Sequence, residues 1–385
     1  MVAILTQPLT RGPDAGNARQ APDAADYRRA PSRRLSARPC LEGRAGDGAS
    51  RRRRCAPGRA RVTARVALIC SILNESHTID ALIDSIRSQT SCPDETIFVD
   101  GGSRDDTVAR VEARLPELPG LVLIRAPGST IAAARNIAIR SAQADIIVST
   151  DAGVRFGSTW LAEITSPLLS DPDIDVVAGF FQADPTPCSR FERALGAVSL
   201  PHVSEIQDAT FLPSSRSVAF RRRCWELVGG YPEWLEHSED VVFDLALRRV
   251  DCRFSFAPKA TVRFRPRPNL WSFYRQYFLY ARGDGKAGLW AVRHAGRYAT
   301  YAVGALCGVA GFIDARWWMA LIVGFTLYNG RSLRRIWLAR WDVAPIDLVA
   351  TLFWMPAITV TGDVAKMMGY PRGLAWRLRN RIRRP

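Results

Sequence analysis

The alternation of two kinds of segment between residues 65 and 181 is the feature that most constrains the fold. Short, β-rich apolar runs, typical of strands buried on both faces, lie at 65–73, 95–100, 121–126, 145–151 and 175–181. Amphipathic helical segments separate them at 77–89, 106–115, 130–142 and 158–169. This regular alternation indicates β-α-β units. The sequence therefore predicts an α/β fold, with a mostly parallel sheet flanked by helices.

Polar residues stand where three of these predicted strands end. The first strand runs into Asn74 and Glu75, the second ends at Asp100 and Gly101, and the fourth ends at Asp151. Ligands of parallel α/β sheets bind beyond the carboxyl ends of the strands, and several carboxylates on one rim are costly without a cationic partner. We expect a nucleotide together with Mg²⁺ or Mn²⁺, which prefer oxygen ligands. The alternative for each acid is a solvated residue in a turn.

The order of several short motifs narrows the class. The chain has no G-x-x-x-x-G-K-[ST] and no G-x-G-x-x-G after a strand, so a P-loop NTPase and a Rossmann dehydrogenase are not supported. It carries, in this order, "SILNES", "FVDGGSRDDT", "AAARNIAI", "STDAG" and "HSEDVVFDLALRR". This series resembles the inverting family-2 glycosyltransferases. The resemblance implies a Rossmann-like GT-A domain over residues 65–285.

The same resemblance implies a donor site. The residues that would contact or shape the pocket of a nucleotide-sugar donor are Asn74, Glu75, Asp100, Gly101, Arg135 and Asn136. Asp151 would correspond to the first acid of the family's D-x-D metal motif. This chain departs from the motif because Gly153 stands in place of the second acid, so the cation has fewer protein ligands. His237 and His202 are additional candidate ligands, or else structural histidines.

An acid pair follows in "HSEDVVF". Glu239 and Asp240 open a predicted helix, where the helix dipole favours carboxylates. By resemblance, Asp240 is the general base and Glu239 its orienting partner or an acceptor contact. Inverting transfer is a single displacement, and it needs a carboxylate to take the proton of the attacking hydroxyl. The alternative is simple helix capping, which Ser238 can also supply.

An aromatic-rich segment at 270–285 suits either a helix at a membrane interface or a packed helix. Processive polysaccharide synthases of this superfamily carry Q-x-x-R-W here, whereas this chain has Gln276 without the following Arg-Trp. That difference favours transfer of a single sugar. Gln276, Arg282 and His237 are candidate contacts to the acceptor or to a phosphate, although exposed arginines often have no such role.

After residue 290 the chain contains three long apolar runs. They lie at 298–313, 317–328 and 343–361 and are short for spans of about 20 residues. Trp and Tyr at their ends favour membrane association, so residues 286–385 are predicted to form a membrane-associated helical region with a basic tail. The alternative is a buried helical subdomain. The third run contains Asp347 and Pro356, which is compatible with a re-entrant or interfacial segment.

Arginines next to these runs predict the orientation. They are Arg293, Arg297, Arg331, Arg334, Arg335 and Arg340. Because cytoplasmic loops carry an excess of Lys and Arg, we expect the large domain to face the cytoplasm.

Residues 1–64 have no apolar periodicity and are predicted to be a disordered, Arg-rich extension. Residues 1–65 hold fifteen Arg and five acids, much of the net charge of +16. Three interpretations of the extension are open. It is a tail that binds nucleic acid or anionic lipid, a transit peptide, or a segment included because the start codon was placed too early. None of the eight cysteines forms C-x-x-C, which favours free thiols in a reducing compartment.

Together these features predict a membrane-associated, metal-assisted inverting glycosyltransferase facing the cytoplasm at the cell membrane. Its partners would be a nucleotide-sugar donor and a lipid-linked or membrane-embedded acceptor, and no nucleic acid is expected. A non-catalytic sugar-nucleotide-binding or scaffold protein is the alternative, based on the missing second acid.

Overall fold

One eight-stranded mixed sheet organises the catalytic part of the chain, in the order β3-β2-β1-β4-β7-β6-β8-β5. This computed structural model describes residues 64–118, 120–184, 188–208, 210–339 and 344–380. The strands are β1 Val66–Ile72, β2 Glu95–Asp100, β3 Leu121–Arg125, β4 Ile146–Asp151, β5 Val154–Phe156, β6 Val176–Ala183, β7 Val218–Arg221 and β8 Phe254–Phe264. The predicted disordered extension lies outside the described residues except for residue 64, as do Arg340 and the end of the basic tail.

The half of the sheet that carries the predicted donor site is parallel throughout. Strand β1 pairs with β2 and β4, and β2 pairs with β3. The register places Asp100 beside Ile72 and Asp151 beside Ser71, so the ends of these strands meet at one edge. The predicted α/β class and its five strands are confirmed.

The other half of the sheet is mixed. Strand β7 runs antiparallel to both β4 and β6, β5 runs antiparallel to β8, and β6 and β8 are parallel. The sequence analysis did not predict β5, β7 or β8. Strands of three and four residues, such as β5 and β7, are too short to show a period. Pro258 inside β8 argues against a strand by pattern alone.

Helices cover both faces of the sheet. They are α1 Ile79–Arg87, α2 Thr107–Arg114, α3 Ile131–Ser141, α4 Trp160–Ser170, α5 Arg190–Ser199, α6 Arg222–Val228, α7 Glu239–Arg249, α8 Leu270–Ala287, α9 Ala291–Ala310, α10 Arg316–Tyr328, α11 Gly330–Ala339 and α12 Pro345–Arg379. The apolar stripe of α1 is fully buried in the core on one face, and α3 packs into the core on the other. All four helices predicted between the first five strands are present.

Helix α12 packs closely along α8. A Cβ at Gly369 would collide with the carbonyl oxygen of Phe278, and one at Gly373 with that of Arg282. Only glycine permits this backbone approach.

The third apolar run is part of one continuous 35-residue helix, which passes through Pro356, rather than a re-entrant segment. The predicted domain boundary after residue 285 falls inside α8, two residues before that helix ends.

The apolar surface of the C-terminal helices is unevenly buried. Among the described helices, α12 is the one long and apolar enough to cross a membrane, and a third of its most apolar window is buried in protein. Within α9 only His294 is buried, and α10 has no buried residue. Leu306, Phe312 and Ile313 are 69%, 84% and 88% exposed. A buried helical subdomain, the alternative for these runs, therefore does not describe α9 and α10.

Candidate active site

The loop after β2 is built around two of the predicted site residues. The Asp100 carboxylate, 3% exposed, accepts hydrogen bonds from the backbone N–H groups of Gly102 and Ser103 and from the Ser103 hydroxyl. Asn74, at φ 54°, accepts a hydrogen bond from the Arg104 backbone N–H at 2.8 Å. Both side chains therefore order the turn that forms the floor of the candidate donor site.

Gly101 lies in the same turn. A Cβ added there would stand 3.3 Å from the Ser129 carbonyl oxygen. This leaves little room for a side chain, so the glycine lets the loops after β2 and β3 approach each other.

Glu75 is a buried carboxyl group at this edge. It is 6% exposed and accepts a hydrogen bond from the Thr78 hydroxyl. Burial, assisted by the charge of Asp151, raises the pKa of Glu75 to about 8, although the Thr78 hydrogen bond opposes the shift. At neutral pH the group is largely protonated and can donate a hydrogen bond to a carbonyl of a nucleotide base.

The raised pKa of Glu75 predicts a pH dependence of stability. The folded protein keeps a proton that the unfolded chain releases between pH 4.5 and about 8. The free energy of unfolding should therefore fall as pH rises through this window, by up to about 5 kcal/mol from this group. We expect Glu75→Gln to flatten the decline, measured as melting temperature against pH.

Glu112→Gln provides the matched control, because this carboxyl is 47% exposed on α2. It should leave the pH dependence as in the wild type. A Glu75→Gln profile that matches the wild type would show that Glu75 does not hold the extra proton.

Arg135 connects Asp151 on β4 with the acid pair on α7. Its guanidinium, in a residue 2% exposed, donates to Asp151 Oδ1 and to Glu239 Oε1, each at 2.8 Å. These two acids raise the pKa of Arg135 against the opposing effect of burial. The predicted metal acid on β4 and the predicted acid pair on α7 thus share one buried cation.

The acid pair occupies the first turn of α7. Asp240 is 3% exposed, and its Oδ1 accepts a hydrogen bond from the Val241 backbone N–H at 2.9 Å. Burial raises the pKa of Asp240, as it raises the pKa of Glu239 to about 7, where the charge of Asp240 adds to the effect and Arg135 opposes it. A carboxylate with a raised pKa is a stronger base.

Ser238 does not cap α7, contrary to the alternative interpretation of this motif. It adopts a left-handed conformation at φ 64° and makes no side-chain hydrogen bond to the helix. Its hydroxyl donates instead to the Tyr280 carbonyl oxygen or to Asp284 on α8. The turn before the acid pair is therefore anchored to α8.

Asn136 makes only structural contacts in this conformation. Its amide nitrogen donates to the Tyr231 carbonyl and to Glu233, and its oxygen accepts from Trp225 Nε1 and the Tyr231 N–H. It therefore holds the segment 225–233 against α3, and a direct contact to the donor stays a prediction.

The three candidate acceptor contacts also have protein partners. Gln276 accepts from Arg267 Nε at 3.2 Å and donates to the Tyr280 hydroxyl. Arg282 pairs with Glu236 at 2.5 Å. His237 is buried, and desolvation, with Arg282 as the next cause, lowers its pKa to about 4. It is neutral at physiological pH.

Arg216 belongs to this site although the sequence analysis missed it. It is 1% exposed, lies 3.9 Å from Asp151 Oδ2, and has the rings of Phe181 and Phe264 at 5.3 and 4.5 Å. None of its guanidinium nitrogens has a hydrogen-bond partner among the described residues. It stands just before the four-residue β7, and its sequence context carries no signal for such a role.

The residues around Asp151 fit a cation held largely by substrate. Oδ1 is bonded to Arg135, so Oδ2 is the oxygen left for a metal. Within the described ranges, one group of three acidic, thiol or imidazole ligand atoms lies close together, and it is Asp175, Cys224 and Cys252 rather than a group with Asp151. His202 lies elsewhere, bonded to Ser204. Mg²⁺ is often bound by one or two carboxylates plus phosphates and water, so Asp151 alone can suffice.

A parallel half-sheet with acids at its edge, facing a buried acid pair on a following helix, is the arrangement expected of the predicted GT-A fold. Residues 68–211 match Glycosyl transferase family 2, so this part of the chain is a family-2 glycosyltransferase domain, as the motif series predicted. This assignment confirms the predicted enzyme class.

Two curated relatives are similar to part of the chain. Succinoglycan biosynthesis protein ExoA of Rhizobium meliloti (strain 1021) is 26% identical over 227 residues, which cover 57% of this chain and 68% of the relative. O-antigen chain rhamnosyltransferase RfbN of Salmonella typhimurium (strain LT2) is 23% identical over 52% of this chain and 66% of its own, just under two thirds.

A solved structure of similar fold is the mannosyltransferase PcManGT from Pyrobaculum calidifontis, in complex with GDP-Man and Mn²⁺. It is 17% identical, with a TM-score of 0.47, and the match covers 84% of this chain and 89% of that one.

Proposed function

We propose that this glycosyltransferase moves a sugar from a nucleotide-sugar donor to an acceptor hydroxyl with inversion. Asp240 takes the proton of the hydroxyl while its oxygen forms the bond to the anomeric carbon and the nucleoside diphosphate leaves. The observation that carries the proposal is the Arg135 bridge, which ties the acid pair on α7 to Asp151 at the edge of the sheet.

In this proposal Glu75, Asp100 and the turn at Gly101 border the nucleoside of the donor. Asp151 would hold Mg²⁺ or Mn²⁺ through Oδ2. The bound cation would supply positive charge to the departing diphosphate. Arg135 and Arg216 place two buried positive charges beside Asp151. These charges would help to neutralise the departing diphosphate, where Gly153 leaves the cation one protein ligand fewer.

The acceptor is proposed to be lipid-linked or membrane-embedded. The apolar faces of α9 and α10 are exposed, as is typical of protein or membrane interaction sites. Helix α12 has the length and composition of a span. Both curated relatives bear names from polysaccharide biosynthesis. Together with the flanking arginines, these features support a cell-envelope enzyme whose catalytic domain faces the cytoplasm.

Nucleotide binding tests the donor site without any acceptor. We expect one of UDP, GDP and dTDP to bind the detergent-purified protein in a metal-dependent manner, measured by calorimetry with Mn²⁺, Mg²⁺ or EDTA. Asp151→Ala should weaken that binding by about tenfold or more, because it removes the predicted metal ligand.

Asp145→Ala is the matched control, since Asp145 is exposed and precedes the same strand at its opposite end. It should bind nucleotide like the wild type. Absence of binding for every nucleotide under every condition would favour the non-catalytic alternative.

A further inference from the structure

A cavity of about 750 Å³ connects the candidate base with the C-terminal helices. Asp240 lines one part of it, and arginines of α9 and α11 line another. These arginines are Arg293, Arg331, Arg334 and Arg335. Arg331 and Arg334 stand three residues apart on α11 and therefore share one helix face.

Within the described residues, Arg293, Arg331 and Arg334 differ from Arg297 and Arg335 in having no carboxylate at ion-pair distance. Arg297 pairs with Asp363 at 2.7 Å, and Arg335 pairs with Glu205 at 2.6 Å. No carboxylate of the described residues lies within 4.0 Å of the other three, and all three are exposed. Glu205 also lines the cavity, and its hydrogen bonds to Arg335, with the charge of Arg331 as a smaller cause, lower its pKa. Guanidinium groups without an ion pair along one cavity wall are suited to a phosphate, which arginine binds in a bidentate manner.

The residue between the arginines and the base is held in an unfavourable conformation. Trp290 lines the cavity and has φ 57°, in the left-handed region that a bulky side chain rarely adopts. The Arg293 guanidinium lies 4.8 Å from the centre of its ring. Such strain is concentrated at ligand sites, and here it fixes an indole face and a cation together beside Asp240.

The exposed apolar surface includes α9, the helix that carries Arg293. Helix α9 begins next to Arg293 and continues into exposed Val303, Leu306 and Val309. An acceptor that fits this arrangement has a hydroxyl at Asp240, a negative group at the arginines and an apolar part beyond them.

We propose that Arg293, Arg331 and Arg334 bind the phosphate or diphosphate that joins the acceptor sugar to its lipid. The sugar then extends past Trp290 toward Asp240, and the lipid follows the exposed faces of α9 and α10. This inference rests on the proposed function and names the acceptor class of the same site. The same phosphate chemistry could come from bilayer headgroups or from the donor, so the test separates these sources.

The experiment measures binding of farnesyl diphosphate in detergent micelles, with farnesol and phosphatidylglycerol as comparison lipids. The variant is R331Q/R334Q, and R331K/R334K preserves the charge. R316Q/R379Q is the charge-matched control, because both of these arginines are exposed and lie outside the cavity. Binding of UDP, GDP and dTDP is measured on every protein.

We expect R331Q/R334Q to weaken binding of farnesyl diphosphate by about tenfold or more. The lysine variant should recover part of the loss, and the control and nucleotide binding should change less than about twofold. Farnesol should bind weakly to all the proteins.

Several results would overturn the inference. One is unchanged binding of farnesyl diphosphate by R331Q/R334Q, or no binding by a wild-type protein that binds nucleotide. A second is an equal loss of phosphatidylglycerol binding, which would mark a general headgroup surface. A third is an equal loss of nucleotide binding, which would assign the arginines to the donor. Failure of the wild type to bind any nucleotide would instead reject the proposed function.

Discussion

Asp240→Asn should abolish sugar transfer while nucleotide binding persists. The amide keeps the shape of the buried side chain but cannot accept the proton of the acceptor hydroxyl. General-base catalysis contributes about 10²–10⁴-fold, so we expect turnover to fall by about 10²-fold or more. Turnover is measured as release of nucleoside diphosphate in the presence of membrane extract as the acceptor source, with binding measured by calorimetry.

Asp251→Asn is a suitable control for this experiment. Asp251 is exposed after the end of α7 and has φ 58°, a conformation that asparagine also accepts. It should retain wild-type turnover. If Asp240→Asn kept its activity, the base would have to be another group, and Glu239 would be the first to replace.

Arg135→Met should have the largest effect on stability. The methionine fills much of the space but leaves Asp151 and Glu239 without their common cation. Removing one partner of a buried ion pair costs about 3–5 kcal/mol. We expect a clear decrease in melting temperature together with loss of nucleotide binding, since both acids border the site.

Arg140→Met separates this effect from a general change of helix α3. Arg140 stands on the same helix, but its side chain is 54% exposed. It forms an exposed ion pair with Glu233 at 3.7 Å. Exposed pairs of this kind contribute about 0–1 kcal/mol, so its melting temperature should stay close to that of the wild type. Equal losses in the two variants would mean that α3, rather than the buried bridge, is the sensitive element.

The balance of charge in the site explains why Arg135 and Arg216 both matter. Burial raises the pKa of Glu75, Glu239 and Asp240. The charge of Asp151 adds to the effect at Glu75 and Asp240, and the charge of Asp240 adds to it at Glu239. The two guanidinium groups are the buried cations that flank Asp151. With Gly153 in place of a second acid, the site holds less negative charge than a D-x-D motif would bring.

Local pattern was sufficient for much of the fold. The apolar runs and helical periods predicted β1 to β4, β6 and α1 to α4 because each is long enough to show its own period. The placement of Asn74, Asp100 and Asp151 on one edge followed from the rule that parallel strands end on the same side. The acid pair on α7 was found through its motif.

Tertiary structure decided how these residues are used. Arg135 contacts Glu239 across 104 positions of sequence, and Arg216 reaches Asp151 only because β7 pairs antiparallel beside β4. The same holds for α12, whose glycines allow it to lie against α8. A period in the sequence reports which face of an element is buried, whereas the neighbour on that face depends on strand order and helix packing. Those are set by the free energy of the whole assembled core, which no single segment encodes.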